Sequence, residues 1–67
     1  MANRMIRLST RESQVLAGIA RGLPNREIAA ELGIALKTVK VHVCRVLDKT
    51  GSRNRTQAAV LAVQGKQ

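Results

Sequence analysis

The sequence contains no Phe, Tyr or Trp, and this absence limits both its core and its function. A core without aromatic rings has to be built from Val, Leu, Ile, Ala and Met, which favours short helices packed closely together. Proteins that bind single-stranded nucleic acid or RNA loops rely on stacking bases against aromatic rings. The composition therefore disfavours those two classes of ligand.

The chain also lacks the usual signals of secretion, membrane insertion and catalysis. Its one cysteine, Cys44, cannot form an internal disulfide. No apolar run approaches the roughly 20 residues of a membrane span. No nucleophile–base pair, glycine-rich phosphate loop or cluster of metal ligands is present in the sequence. We therefore expect a cytoplasmic protein that is not an enzyme and needs no metal or cofactor.

Acidic residues are scarce, whereas basic residues are abundant. Twelve Lys and Arg stand against four Asp and Glu, for a formal net charge of +8 and a pI of about 11.6. Residues 1–36 hold five basic and three acidic residues, while residues 37–67 hold seven basic and one acidic. Such a charge indicates a polyanionic partner, and nucleic acid is the commonest one for a small domain. The alternative is a surface that is basic only for solubility.

Helix start and stop signals predict one small all-α domain in a chain of 67 residues. Ser9 and Glu12 have the spacing of a capping box, and Asn25 is a candidate cap for the next helix. Gly33 and Gly51 are typical helix stops, and no segment alternates as a strand would. The predicted helices are 9–22, 25–32, 36–50 and 55–64. The predicted domain is 8–64, with a disordered segment 1–7 and a tail 65–67.

The third predicted helix, residues 36–50, has two different faces. Helical spacing aligns Val39, Val43, Val46 and Thr50 in one stripe, which we expect to face the core. The opposite side is mostly basic until Asp48 and consists of Lys37, Lys40, Val41, Cys44, Arg45 and Asp48. Two short helices around a tight turn, the second one basic, indicate a helix-turn-helix. An ordinary αα-hairpin has the same pattern.

The basic side suits the major groove of double-stranded DNA. Lys40 can donate to the N7 and O6 acceptors of guanine, and Val41 can pack against a thymine methyl group. Lys37 and Thr38 lie at the helix start, where the amides and the helix dipole favour phosphate. Each neutralised phosphate should contribute about −0.9 to the slope of log affinity against log salt.

Four segments, "LSTRESQVL", "GLPNREIAAELGI", "KTVKVHV" and "GSRNRTQAAVLA", resemble the LuxR-type (NarL/FixJ) helix-turn-helix domain. The resemblance runs in order through about residues 8–62. It implies a four-helix DNA-binding domain, usually the C-terminal output part of a two-component or ligand-sensing transcription regulator. It also implies that the third helix enters the major groove and that the last helix forms a dimer interface.

Carried over residue by residue, the resemblance implies base-facing positions at Lys40, Val41 and Cys44, and a phosphate-facing Thr38. His42 falls at the edge of the core or on the phosphate side. With the charge pattern, the full set of candidates for phosphate or groove-edge contacts is Asn25, Lys37, Thr38, His42, Arg45, Lys49, Arg53 and Arg55.

Three residues depart from the family pattern. Ala35 stands where relatives usually place a Ser that caps the recognition helix, which predicts a loss of about 1 kcal/mol of stability. Thr50 replaces a Leu and puts a hydroxyl on the core stripe, which lowers stability slightly unless the hydroxyl bonds back to a carbonyl. Cys44 occupies a base-facing position where relatives often have a long polar or basic residue.

Other interpretations of single residues are open at this stage. The Cys44 thiol, beside cationic residues, could be redox-active, and His42 could bind a metal or respond to pH. We favour simpler roles, because Cys44 is small enough for a groove contact and His42 has no second ligand at metal spacing. Val60, Leu61 and Val63 exceed what a short helix needs to bury and predict a homodimer seam.

The sequence thus predicts sequence-specific binding of double-stranded DNA in transcription regulation. An alternative is a protein-interaction module that docks on RNA polymerase or another partner through the basic helix. A basic amphipathic membrane binder is a third hypothesis, which the missing aromatics disfavour.

Overall fold

The computed structural model describes residues 7–64 and forms four α-helices. The all-α fold is confirmed: the described residues contain no strand. Of the predicted disordered segment 1–7, only Arg7 is described, and it is exposed outside the helices; residues 1–6 and the predicted tail 65–67 lie outside the described part. No described helix combines the length and apolar character needed to cross a membrane. The helices are α1 (Thr10–Ala20), α2 (Asn25–Leu32), α3 (Leu36–Thr50) and α4 (Arg55–Gln64).

Helix α1 begins at the predicted capping box. The Ser9 hydroxyl accepts a hydrogen bond from the Glu12 amide at 3.1 Å, and a Glu12 carboxylate oxygen accepts one from the Ser9 amide at 2.9 Å. The helix ends at Ala20, two residues earlier than predicted. The chain leaves the helix there because Gly22 is left-handed, with φ 81°, and the Leu23 amide turns back to the Gly18 carbonyl at 3.0 Å.

The prediction that Asn25 caps α2 is wrong. The N-cap is Pro24, in an extended conformation, and no side chain caps this helix. Asn25 is the first helical residue, and its side-chain oxygen instead accepts a hydrogen bond from Arg55 at 2.6 Å. Local spacing favoured a polar cap, but a partner 30 residues away in the chain uses that oxygen.

A tight turn joins α2 to α3 and makes the helix-turn-helix. Gly33 adopts φ 68°, ψ 34°, a left-handed conformation that side chains with a Cβ rarely take. The Ile34 amide then donates to the Ala29 carbonyl at 3.1 Å, which closes the end of α2. Ala35 is extended again and precedes the first turn of α3. The turn therefore sets the direction in which α3 leaves α2.

The core lies where α1 packs against α3 and α4, and α2 packs against α3. The approach of α1 to α2 depends on Gly18, since a Cβ there would lie 2.8 Å from Cγ1 of the buried Ile28. Apolar residues as small as alanine fill this core, as expected of a chain without aromatics. The buried apolar residues are Val15, Ile19, Ile28, Ala29, Val39, Val46 and Ala58.

The end of α3 resolves the expectation for Thr50, and the start of α4 has a side-chain cap. The Thr50 hydroxyl bonds back to the Val46 carbonyl at 2.8 Å, so the hydroxyl on the core stripe is satisfied. Asn54 caps α4 by accepting from the Gln57 amide at 2.8 Å. The Gln57 side chain completes only a variant of the capping box, because it accepts from the Arg53 amide rather than from that of Asn54.

Candidate nucleic-acid interface

Helix α3 presents one side to the core and the other to solvent, in the orientation expected from its periodicity. Val39 and Val46 are completely buried, and Val43 packs against the core from a partly buried position. On the outward side, Val41 keeps 47% of its surface exposed. The residues with exposed side chains on this side are Lys37, Thr38, Lys40, Val41, Cys44, Arg45 and Asp48.

The outward side of α3 carries a shallow depression. It is lined by Leu36, Lys37, Lys40, Val41 and Cys44. These residues meet because positions three and four apart share one side of a helix. The structure thus brings together the three residues assigned to base contacts and adds Leu36, which is 42% exposed. Leu36 is not among the candidates predicted from the sequence, although its four-residue spacing from Lys40 was a visible signal.

The N-terminus of α3 has no side-chain cap. Ala35 occupies the N-cap with φ −69° and ψ 147°, and no side chain bonds to the first amides of the helix. No acidic residue lies in the first turn, whereas Lys37 and Thr38 do. The uncapped start expected from Ala35 is therefore confirmed. Free amides and a lysine make this end of α3 a locally positive surface.

Lys49, one of the candidates for phosphate contacts, forms an ion pair within the fold. Its Nζ forms an ion pair with Glu12 Oε1 at 2.8 Å and lies 3.5 Å from the Arg7 carbonyl oxygen. The Lys49 hydrogen bond, with the backbone hydrogen bond from Ser9, lowers the pKa of Glu12 to about 2. Only 4% of the Glu12 side chain is exposed. Lys49 thus joins α3 to the start of α1 instead of extending a free cationic track.

Arg55 and Asn25 also bond to each other rather than pointing freely outward. The Arg55 guanidinium donates to Asn25 Oδ1 at 2.6 Å and, through its other terminal nitrogen, to the Leu23 carbonyl oxygen. Both residues are partly buried. This pair ties the start of α4 to the segment before α2. Asn25, Lys49 and Arg55 are therefore already engaged within the fold.

The remaining candidates for phosphate contacts differ in exposure. Arg45 and Arg53 are exposed, as the charge pattern predicted. His42 is partly buried, and its Nδ1 has no hydrogen-bond partner among the described residues. No group of three or more potential metal ligands occurs in the described part of the chain. Arg45 lies on the outward side of α3, Arg53 follows the end of that helix, and neither side chain has an ion-pair partner among the described residues.

The three apolar residues assigned to a dimer seam are all exposed on α4. Val60 is 48% exposed, Leu61 38% and Val63 64%. Leu61 and Val63 line an apolar groove that α4 forms with Leu16, Ala17 and Ala20 of α1, whereas Val60 is not part of its lining.

Comparison with known proteins identifies the family. The model of the family described as "Bacterial regulatory proteins, luxR family" matches residues 7–62, which include all four helices up to the last turn of α4. The chain belongs to the LuxR family. Its helix-turn-helix is thus that of a family of DNA-binding transcription regulators, and this family is not a class of enzymes.

Individual relatives agree with this assignment. The chain is 45% identical over 62 residues to the transcriptional regulatory protein LnrK of Bacillus subtilis. It is 49% identical over 55 residues to the transcriptional regulatory protein LiaR of the same organism. It is 46% identical over 57 residues to the response regulator protein VraR of Staphylococcus aureus.

The matched region is only a part of each relative. The three alignments cover 92%, 82% and 85% of this chain, but 28%, 26% and 27% of the respective relatives. The chain thus spans about a quarter of the length of these curated regulators. The similarity concerns their helix-turn-helix part.

Proposed function

We propose that this domain binds double-stranded DNA sequence-specifically, with α3 in the major groove. The observation that carries the proposal is the exposure of Lys37, Lys40, Val41 and Cys44 on one side of a helix whose other side is buried. The major groove, about 12 Å wide, admits an α-helix and displays a distinct pattern of groups for each base pair. In this arrangement Lys40 donates to guanine, while Val41 and Cys44 contact base edges.

The phosphates on either side of the groove are contacted by a smaller set of residues than the sequence suggested. The free amides at the start of α3, with Lys37 and Thr38, bind one phosphate track. Arg45 and Arg53 are exposed and bind further phosphates. Lys49 contributes less, because its charge is already paired with Glu12. His42 lies at the groove edge.

The domain acts as the output part of a longer regulator. The support is that the aligned region forms about a quarter of relatives whose names describe transcriptional or response regulators. In this proposal a preceding receiver or ligand-sensing domain controls DNA binding. The part of the regulator that responds to a signal would then lie outside these four helices.

Pairing of two domains through α4 places two reading helices on one operator. Val60, Leu61 and Val63 expose apolar surface that a second copy can cover. Two-fold symmetric dimers bind half-sites spaced by one turn of DNA, about 34–36 Å, or multiples of it. Sedimentation of the domain with and without duplex DNA measures this pairing, and Val63→Asp should weaken it. A Val63→Asp domain that pairs as before would exclude this seam.

Titration of the domain with duplex DNA at fixed salt tests the proposal. Lys40→Ala should weaken binding to a selected duplex by about 1–3 kcal/mol and relax the preference at one base pair. The matched control is Arg11→Ala, which removes the same charge from α1 and should leave the ranking of sequences unchanged. If the two substitutions changed that ranking equally, the proposal that α3 lies in the major groove would be wrong.

The competing hypothesis, docking on RNA polymerase or another protein, gives a different result in the same assay. A module used only for protein docking should fail to shift random duplex DNA at low salt. Binding of random duplexes that weakens steeply with salt supports the proposed function.

A further inference from the structure

Arg55, the first residue of α4, holds the chain on both sides of the start of α2. Its two terminal nitrogens donate to Asn25 Oδ1 at 2.6 Å and to the Leu23 carbonyl oxygen. Pro24, which lies between these two acceptors, is the N-cap of α2. Because a guanidinium is planar and rigid, two hydrogen bonds from one guanidinium fix the direction of the bound segment as well as its distance.

The packing of the helices does not join α4 to α2 directly. Helix α4 packs against α1 and α3 rather than against α2, and α2 packs mainly against α3. Arg55 links the starts of α4 and α2 across 30 residues of the chain. No side chain caps α2. The bonds from Arg55 therefore set the position of the α2 start relative to α4.

A displacement at the start of α2 would reach the reading helix. Ile28 and Ala29 of α2 and Val39 of α3 belong to one cluster of buried residues, and the tight turn at Gly33 joins the two helices. Interiors packed at native density transmit strain rather than absorb it. Groups that bind a ligand have to be held within about 0.5 Å of their productive positions. The orientation of α3 therefore depends on how the start of α2 is held.

The two acceptors of Arg55 are neutral, so its charge is not cancelled. This differs from Lys49, whose charge is paired with the carboxylate of Glu12. A guanidinium bonded to an amide and a carbonyl oxygen is fixed in place, yet it still attracts a polyanion from a distance. Arg55 can thus favour DNA binding without leaving its partners to touch a phosphate.

We infer that Arg55 is a positioning residue for DNA binding, which holds α2, and through it α3, in the orientation that enters the groove. The inference rests on the proposed function and goes beyond it, since it names a residue outside the helix-turn-helix on which the reading geometry depends. The charge pattern placed Arg55 among the phosphate contacts; in the fold it acts through Asn25 and Leu23 instead.

The substitution Arg55→Lys tests this role, because it keeps the charge but removes the planar fork. Binding to a duplex selected from a random library should weaken about tenfold, which lies within the range of couplings found between residues of one hydrogen-bond network. The slope of log affinity against log salt should stay the same, since no charge is lost. The matched control is Arg53→Lys, the same change on an exposed side chain two residues away, and it should bind nearly as the unchanged chain does.

A double-mutant cycle shows whether Arg55 acts through Asn25. Asn25→Ala removes one acceptor without changing the charge, so it should weaken binding in the unchanged chain and have little further effect in the Arg55→Lys background. If Arg55 instead leaves Asn25 and binds a phosphate itself, Asn25→Ala should leave binding unchanged or strengthen it. Circular dichroism at the temperature of the titration checks that every variant is folded.

The outcomes separate this inference from the proposed function. If the unchanged domain binds no duplex, the proposed function fails and the inference fails with it. If the domain binds DNA but Arg55→Lys and Arg53→Lys bind equally well, only the positioning role is overturned, and additive losses in the cycle overturn it too. A lower melting temperature of Arg55→Lys with unchanged affinity also overturns it, because Arg55 would then serve stability alone.

Discussion

Substitutions of Ala35 test whether the first amides of α3 are unpaired, and how capping them changes both the stability of the domain and its DNA binding. It occupies the N-cap of α3 with an extended backbone, φ −69° and ψ 147°, and no side chain bonds to the first amides. This is the conformation in which Ser or Asp accepts a hydrogen bond from the amide two or three residues on. The substitution Ala35→Ser should therefore add one hydrogen bond without any change in the backbone.

The expected gain follows from known capping energies. A serine N-cap is worth about 1 kcal/mol relative to alanine. For a domain of 60–100 residues, this raises the melting temperature by roughly 4–8 °C. Ala35 is exposed, so the new hydroxyl meets no packed neighbour that would offset the gain. Thermal and urea unfolding, followed by circular dichroism, measure both quantities.

A second substitution separates stability from DNA binding. Ala35→Asp should stabilise the fold at least as much as Ala35→Ser, because its charge also interacts favourably with the helix dipole. It should nevertheless weaken DNA binding at low salt, since the carboxylate competes with phosphate for the same amides beside Lys37. Ala35→Ser should leave binding nearly unchanged.

Ser9, which already caps α1, is the control for the free energy that a serine cap contributes in this domain. Ser9→Ala should lower the free energy of unfolding by about the amount that Ala35→Ser adds, roughly 1 kcal/mol. If Ala35→Ser unfolds at the same temperature and urea concentration as the unchanged chain, the first amides of α3 are already satisfied. The reasoning about a free positive helix end would then be refuted.

Three further predictions concern the interior of the fold. Lys49→Met should lower the melting temperature because it leaves the shielded carboxylate of Glu12 without a counter-charge. In a Glu12→Gln background the same substitution should cause a much smaller loss. Equal losses in both backgrounds would show that the ion pair does not contribute to stability. Since the folded-state pKa of Glu12 is lowered to about 2 from 4.5, its stabilising contribution is present above about pH 4.5 and is lost as the pH falls toward 2. Urea titrations across this range should show a shallower loss of stability in Glu12→Gln, and identical pH profiles would contradict the assignment. Gly18→Ala should destabilise by about 1 kcal/mol, because overpacking against Ile28 costs roughly 1–3 kcal/mol and the better helix propensity of alanine offsets about 1. The shorter side chain of Ile28→Val should reduce that loss, and an additive double variant would show that the two residues do not clash.

Local signals predicted the helices and the two sides of α3. The capping box of Ser9 and Glu12, and the stops at Gly33 and Gly51, act over three to five residues, so spacing along the chain is sufficient to locate them. The buried Val39 and Val46 follow in the same way from helical periodicity.

Asn25 shows where local reasoning fails. A polar residue at a helix start is a reasonable cap by sequence alone. In the fold its oxygen bonds to Arg55, and the cap position falls on Pro24. Competition between a local and a distant partner cannot be judged from spacing, because the distance between them depends on how α4 packs.

By itself, the sequence determined that this chain is a basic, four-helix, helix-turn-helix domain with a lysine-bearing face on its third helix. The tertiary structure decided which cations are free to meet a polyanion. Lys49 and Arg55 are as basic in sequence as Lys40 and Arg53, but partners 37 and 30 residues away hold them within the fold. A long flexible side chain bonds to whatever the packed helices bring within reach, and that neighbour is set by the whole fold.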